Sequence, residues 1–250
     1  MAASIDPNVP GIPLASGLGW IAGPVSNSYY LREGSGQYLI DAGFKEEAGP
    51  IVSAIGRAGL DPRSLSYLLV THQHPDHIGG AAYLHWAWDL RVACHERERP
   101  ALEGTGPTTA PLFARLFIRR SPVAVDRALR DGDTLGPFKV YHVPGHTPGS
   151  AAFYHEGRRF LFTGDAVVSA RGRLTLASRS SNFDPEAAAR AVRRLAELPV
   201  RVVLPGHGHP VTDSPQAQLR QLYERVSALP SGRRRNLFGP EGRPETFPHL

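Results

Sequence analysis

The chain has 250 residues, of which 41% are hydrophobic and 20% charged, with a formal charge of +5 and one cysteine. That length supports one substantial core, and the composition excludes disordered, fibrous and collagen-like classes. The lone Cys94 excludes an intramolecular disulfide framework and a cysteine-rich zinc module. Arginine carries the basic balance, since Lys45 and Lys139 are the only lysines; scattered as it is, it reads as a solvated surface and not as a nucleic-acid footprint.

Residues 1–24 are rich in glycine and proline and are predicted to form an irregular arm. Asn27–Leu31 and Gln37–Asp41 are β-like runs around Glu33-Gly34-Ser35-Gly36, the pattern of a hairpin. Apolar residues at Ile51, Ile55 and Leu60 predict an amphipathic helix whose regular part starts near Pro50. Tyr67-Leu68-Leu69-Val70 reads as a buried strand, Ala81–Trp88 as a helix, Arg91–Cys94 as a strand and the stretch near 95–103 as a helix. Residues 104–122 look like an insertion, either a lid over a site, a contact between two copies of the chain, or a helix packed on the body. Phe138–Val143, Ser150–Tyr154, Arg159–Phe162 and Arg201–Leu204 are predicted strands. Asp184 is placed as the N-cap and Pro185 in the first turn of a helix carrying Ala188, Ala191, Val192 and Leu195 on one face. A last helix spans about 214–229, and residues 230–250 are read as an irregular tail, with 1–250 forming one domain.

The chemistry starts at Thr71-His72-Gln73-His74-Pro75-Asp76-His77, directly after the strand at 67–70. Three imidazoles and a carboxylate so close together are costly to bury unless a shared partner satisfies them, and a divalent cation is such a partner. Three later segments repeat one arrangement, a β-like run followed by a glycine turn carrying a metal-competent side chain: Pro144-Gly145-His146, Thr163-Gly164-Asp165 and Pro205-Gly206-His207. Side chains at strand ends converge when the strands lie side by side, and glycine permits close backbone approach. Asp41 either caps the next turn or joins Thr71 in orienting ligating imidazoles. His85, His95, His142, His155, His209 and His249 fall outside the pattern, with His209 close enough to His207 to act behind it.

With these motifs in order, including His146-Thr147-Pro148-Gly149-Ser150 and His207-Gly208, the chain resembles the metallo-β-lactamase-fold hydrolases over residues 27–210. The resemblance implies an α/β fold, a four-layer αββα sandwich with a metal site at one edge of its two sheets. It assigns His72, His74 and His146 to a first metal, Asp76, His77 and His207 to a second, and Asp165 to both. Imidazole-dominated ligation without thiolate suits two zinc ions, with iron or manganese also compatible.

The reaction this implies is hydrolysis of an ester-like bond (thioester, lactone or related acyl substrate) by a metal-bridged hydroxide, with Asp76 steering a proton to the leaving group. A mononuclear iron persulfide dioxygenase is similar at His72, His74, His146 and Asp165, and a phosphodiester-cleaving nuclease is a third reading that rests only on arginine content and the breadth of the fold. A flavin-linked di-iron branch usually has glutamate where this chain has His74, and the glyoxalase II-like branch carries a basic C-terminal region that Arg233–Arg235 does not clearly match. Tyr83 and Tyr154 are candidate substrate-pocket residues. The expected partner is a small molecule, with no nucleic acid and no membrane; lacking a signal-type segment, the protein is expected to be cytoplasmic.

Overall fold

A computed structural model of the protein describes residues 12–109, 121–178 and 181–228. Strands β1 (Ile12–Ala15), β2 (Leu18–Ala22), β3 (Asn27–Glu33), β4 (Gly36–Ile40), β5 (Tyr67–Val70), β6 (Val92–His95) and β7 (Arg127–Leu129) lie in chain order across one sheet. The first four pair antiparallel; β4 to β7 pair parallel. Parallel neighbours need crossovers. These contain α1 (Ala48–Arg57), then α2 (Pro75–Ile78) with α3 (Ala81–Trp88), then α4 (Arg99–Leu102).

The second half supplies β8 (Thr134–Leu135), β9 (Phe138–His142), β10 (Ala151–His155), β11 (Phe160–Gly164), a small hairpin of β12 (Val168–Ala170) and β13 (Arg173–Thr175), α5 (Pro185–Ala196), β14 (Val202–Pro205) and α6 (Pro215–Ala228). Its sheet runs β14-β11-β10-β9-β8, with β11 and β14 parallel and the other pairs antiparallel.

The side-chain period of two sorts each strand between two cores. Ile40 and Leu69 face the other sheet and pack with Phe138, Phe153, Phe162 and Leu204. Their neighbours Leu39, Leu68 and Val70 face outward, against Ile51 and Ile55 of α1 and Leu84 of α3. On the opposite side Leu161 and Val203 pack against Val192 and Leu195 of α5 and Leu219 and Leu222 of α6. Both faces of β5 are therefore buried, which is why its sequence is an uninterrupted apolar run. Each fully buried leucine contributes about 1.5–3 kcal/mol relative to exposure. Helix, sheet, sheet, helix is the αββα order that the resemblance implies.

Local signals held at several ends. Asp184 caps α5 by accepting from the amides of Glu186 and Ala187 at 3.0 and 2.9 Å. The β3–β4 hairpin and the last helix lie where the pattern places them.

Three expectations need correction. The arm predicted over 1–24 contains β1 and β2 within residues 12–22, because β2 pairs along its whole length with β3, from Leu18↔Leu31 to Ala22↔Asn27, and this pairing outweighs the low strand propensity of a glycine-rich stretch. His95 ends β6 instead of opening a helix, and the helix expected near 95–103 is the single turn Arg99–Leu102. Tyr154 belongs to the core under α5, its hydroxyl donating to the Pro199 carbonyl at 2.6 Å, so it lines no pocket. Most of the insertion, residues 110–120, and the tail at 230–250 lie outside the described residues, as does His249. Among the described residues no helix is long and apolar enough to cross a membrane.

Candidate metal centre

All seven side chains singled out by the motifs come together at one edge of the sandwich. Parallel pairing does this within each sheet. Asp41 follows β4 and Thr71 follows the adjacent β5, while Asp165 follows β11 and His207 follows the adjacent β14. Two backbone hydrogen bonds join the sheets at this edge, from Ala151 N to Thr71 O at 2.9 Å and from Asn27 N to Gly206 O at 2.8 Å. Glycine makes the approach possible. At Gly164, where φ is +48°, a Cβ would meet Thr71 Oγ1 at 2.6 Å, and at Gly206 one would overlap the Asp165 carboxylate.

The coordinating atoms form three overlapping groups, each within 4.8 Å: His72, His74 and His146; His72, His77 and Asp165; and Asp76, His77 and His207. His74 Nδ1 lies 2.8 Å from His146 Nε2. Asp165 spans the groups, with Oδ2 at 3.3 Å from His146 Nε2 and 3.1 Å from His207 Nε2, and Oδ1 at 3.5 Å from His77 Nε2. Asp76 Oδ2 lies 3.4 Å from His207 Nε2 and 3.6 Å from His77 Nε2.

The groups behind these atoms set which ring nitrogen is bare. Asp41 Oδ2 lies 2.8 Å from His77 Nδ1, and Val25 O lies 2.8 Å from His207 Nδ1; each acceptor fixes the proton on Nδ1 and leaves Nε2 facing the cluster. Asp41 also accepts from the Thr71 amide at 2.8 Å and the Thr71 hydroxyl at 2.7 Å. With its hydrogen committed to Asp41, Thr71 Oγ1 accepts from His72 Nδ1 at 3.0 Å. His72 Nε2 and Asp165 Oδ1 are then buried with no hydrogen-bond partner. A buried polar atom left unpaired is costly, and here two point into a nest of coordinating groups. A divalent cation fits that donor set.

Electrostatics run the same way for the first group, while in the second group the carboxylates hold on His77 a proton that a cation would displace. Burial, reinforced by neighbouring imidazoles, holds His72 well below the ordinary histidine value. Burial outweighs the pull of Asp165 to bring His74 to about 4 and His146 to about 3. Neutral imidazoles are the form that binds a cation. Burial also acts to lower His77, but Asp76, Asp165 and Asp41 outweigh it and raise it to about 10. For Asp165, burial acts upward and is overcome by His207, His146 and His77, leaving the carboxyl well below its usual range.

Sequence reading missed two residues that hold the last segment. Asn27 Nδ2 donates to the carbonyls of Pro205 and Gly208 at 2.9 and 2.6 Å, and the Tyr29 hydroxyl donates to Pro205 O at 2.8 Å. Both sit in a strand whose apolar pattern gives no hint of that task. The excluded histidines stay outside the cluster: His85 is on α3 and contacts Leu90 O, His95 stacks on His142 at 4.1 Å, His155 lies 3.5 Å from Glu33, and His209 meets Trp20 edge-on. Buried Cys94 has its thiol pushed up by burial, the behaviour of an inert core thiol.

Residues 22–207 match the model of the metallo-beta-lactamase superfamily, and the chain belongs to that family. It is 29% identical to the probable metallo-hydrolase YflN of Bacillus subtilis, over 90% of this chain and 99% of that protein. It is 37% identical to a hydroxyacylglutathione hydrolase of Pseudomonas paraeruginosa, over 54% of this chain and 44% of that enzyme. Among solved structures, the di-iron-bound form of TTHA1623 superposes with a TM-score of 0.65 at 33% identity, covering 80% of this chain and 96% of that one. Fold, family and relatives together set the chain among the metallo-hydrolases.

Proposed function

We propose that the protein is a hydrolase of ester-like bonds (thioesters, lactones or related acyl substrates) that works with two divalent metal ions. His72, His74 and His146 would hold the first ion, Asp76, His77 and His207 the second, and Asp165 both. The observation that carries this reading is the meeting of all seven side chains in overlapping groups within 4.8 Å, with His72 Nε2 and Asp165 Oδ1 buried and unpaired among them. When bound, such a pair of ions supplies Lewis acidity toward a carbonyl oxygen and makes water acidic enough to attack near neutral pH.

The chain's own groups do the rest. Asp41, Thr71 and the Val25 carbonyl keep the protons of His77, His72 and His207 on the nitrogens turned away from the substrate. Asp76, whose side chain is 19% exposed against 6% for Asp165, is the carboxylate solvent reaches, and it is the residue we assign to steer a proton to the departing alcohol or thiol. The backbones of two residues with exposed apolar side chains lie beside the cluster. The Phe183 amide donates to His146 O at 3.1 Å, and Val25 is the residue whose carbonyl holds His207. An apolar rim suits an acyl group, in keeping with the hydroxyacylglutathione hydrolases among the relatives.

Zinc is the metal we assign, from imidazole donors without thiolate; the di-iron form of TTHA1623 supports iron as the alternative. The test is metal content by mass spectrometry combined with a panel of thioester, lactone and phosphodiester substrates, and oxygen uptake with glutathione persulfide. Two ions per chain with turnover of an ester-like substrate is the expected result. One iron per chain with oxygen uptake, or phosphodiester cleavage alone, would overturn the assignment.

A further inference from the structure

Glu98 lies in the charged run Glu96-Arg97-Glu98-Arg99, where a solvated side chain is the ordinary expectation, yet it is fully buried, at 0% exposure. Its two oxygens take three hydrogen bonds. Oε2 accepts from the Gln73 amide at 2.9 Å, and Oε1 accepts from the Thr147 hydroxyl at 2.8 Å and from the Gly149 amide at 2.6 Å. Gln73 is the residue between His72 and His74, and Thr147 is the residue after His146. One carboxylate therefore ties together the two loops, from different sheets, that carry the whole first group of candidate ligands. The fit is close on both sides, since a Cβ at Gly149 would meet Glu98 Oε1 at 2.6 Å.

From this geometry we infer that Glu98 is a positioning residue for the first cation, setting the separation of the His72–His74 loop from His146; the inference rests on the metal-dependent reading above. An ionised carboxylate only accepts, so it holds three donors at once with charge-assisted bonds, which offset part of its burial. A glutamine of the same shape must turn an NH2 toward at least one of those donors. The loops would then part, although no ligand has been removed.

The experiment is a titration of metal-free protein with Zn2+ in competition with a chromophoric chelator, for the parent, Glu98→Gln and Gly149→Ala, alongside amide exchange at Gln73 and Gly149. Gly149→Ala presses on the same carboxylate from the opposite side, so the two variants test one device by different means. Both are expected to melt cooperatively, to bind the first ion about 10–100-fold more weakly, as loss of a partner behind a ligand does, and to exchange the Gln73 amide faster. Variants that fold and take up Zn2+ with the parent's affinity would overturn this inference alone. A parent that binds no divalent ion would overturn the metal-dependent reading and this inference with it.

Discussion

Replacing Asp41 by asparagine is predicted to disable the second cation position without unfolding the chain. Asp41 stands just past β4 with φ of 57°, a conformation asparagine adopts readily, and the amide keeps the carboxylate's shape. The carboxylate is 2% exposed and accepts from the Thr71 amide, the Thr71 hydroxyl and His77 Nδ1, at 2.8, 2.7 and 2.8 Å. In one orientation the new NH2 faces His77 Nδ1, and relief comes only by moving the imidazole proton to Nε2, the nitrogen that faces Asp76, Asp165 and His207. In the other orientation it faces the buried Thr71 amide. Either way one donor meets another, an unsatisfied contact worth about 1–3 kcal/mol. In the first orientation, where a cation must displace the relocated proton, this is at 1.4 kcal/mol per decade a loss of about 5–150-fold in affinity for the second ion; in the second it falls on the stability of the fold. Competitive titration against a chromophoric chelator measures both binding steps, and a thermal melt of the metal-free variant checks that it folds. An Asp41→Asn protein that binds two ions as tightly as the parent would refute the argument that Asp41 sets the His77 tautomer.

Chelation is expected to lower the melting temperature. An ion at a hundred times its dissociation constant stabilises by about 2.7 kcal/mol, or roughly 5–11 °C per ion for a chain of this size; an unchanged melt would count against bound ions. Metal-free protein is expected to lose stability as pH falls from about 6.5. The folded-state values of His74 and His146, about 4 and about 3, lie below the unfolded value, so the unfolded chain binds more protons throughout that window; a flat acid limb in urea melts between pH 6.5 and 4 would contradict this. Phe183→Ser is expected to lower kcat/KM for an octanoyl ester on the order of tenfold while leaving an acetyl ester nearly unchanged, and equal losses on both would remove Phe183 from acyl recognition.

The centre was legible in the sequence because its chemistry is local. His72, His74, Asp76 and His77 share one loop, and His146, Asp165 and His207 each follow an apolar strand and a glycine. What escaped depends on partners distant in sequence. β1 and β2 are made strands by β3, which no periodicity in residues 12–22 announces. Asn27 became visible only when the end of β14 was seen 2.8 Å away, and Glu98 only when two loops from different sheets closed over a side chain that its neighbours mark as surface. His95 was misassigned for the same reason, since its strand is defined by pairing with Arg127–Leu129.

Each proposed ion draws on both sheets. His72 and His74 follow β5 of the first sheet, and their companion His146 follows β9 of the second; Asp76 and His77 lie on α2, in the crossover that leaves β5, and His207 follows β14 of the second sheet. The protein's own links at this edge are polar: the backbone hydrogen bonds from Ala151 to Thr71 and from Asn27 to Gly206, the side chains of Asn27 and Tyr29 on Pro205 O, His207 Nδ1 on Val25 O, and the Glu98 carboxylate. Aromatic and aliphatic packing holds the sheets together farther inside, through Phe138, Phe153 and Phe162. A cation bound by either group would therefore clip the two halves together at this polar edge, so binding and folding free energy are linked there. On this view Glu98 and Asp41 divide one task. Glu98 sets how far apart the sheets' loops stand, and Asp41 sets which nitrogens face the gap.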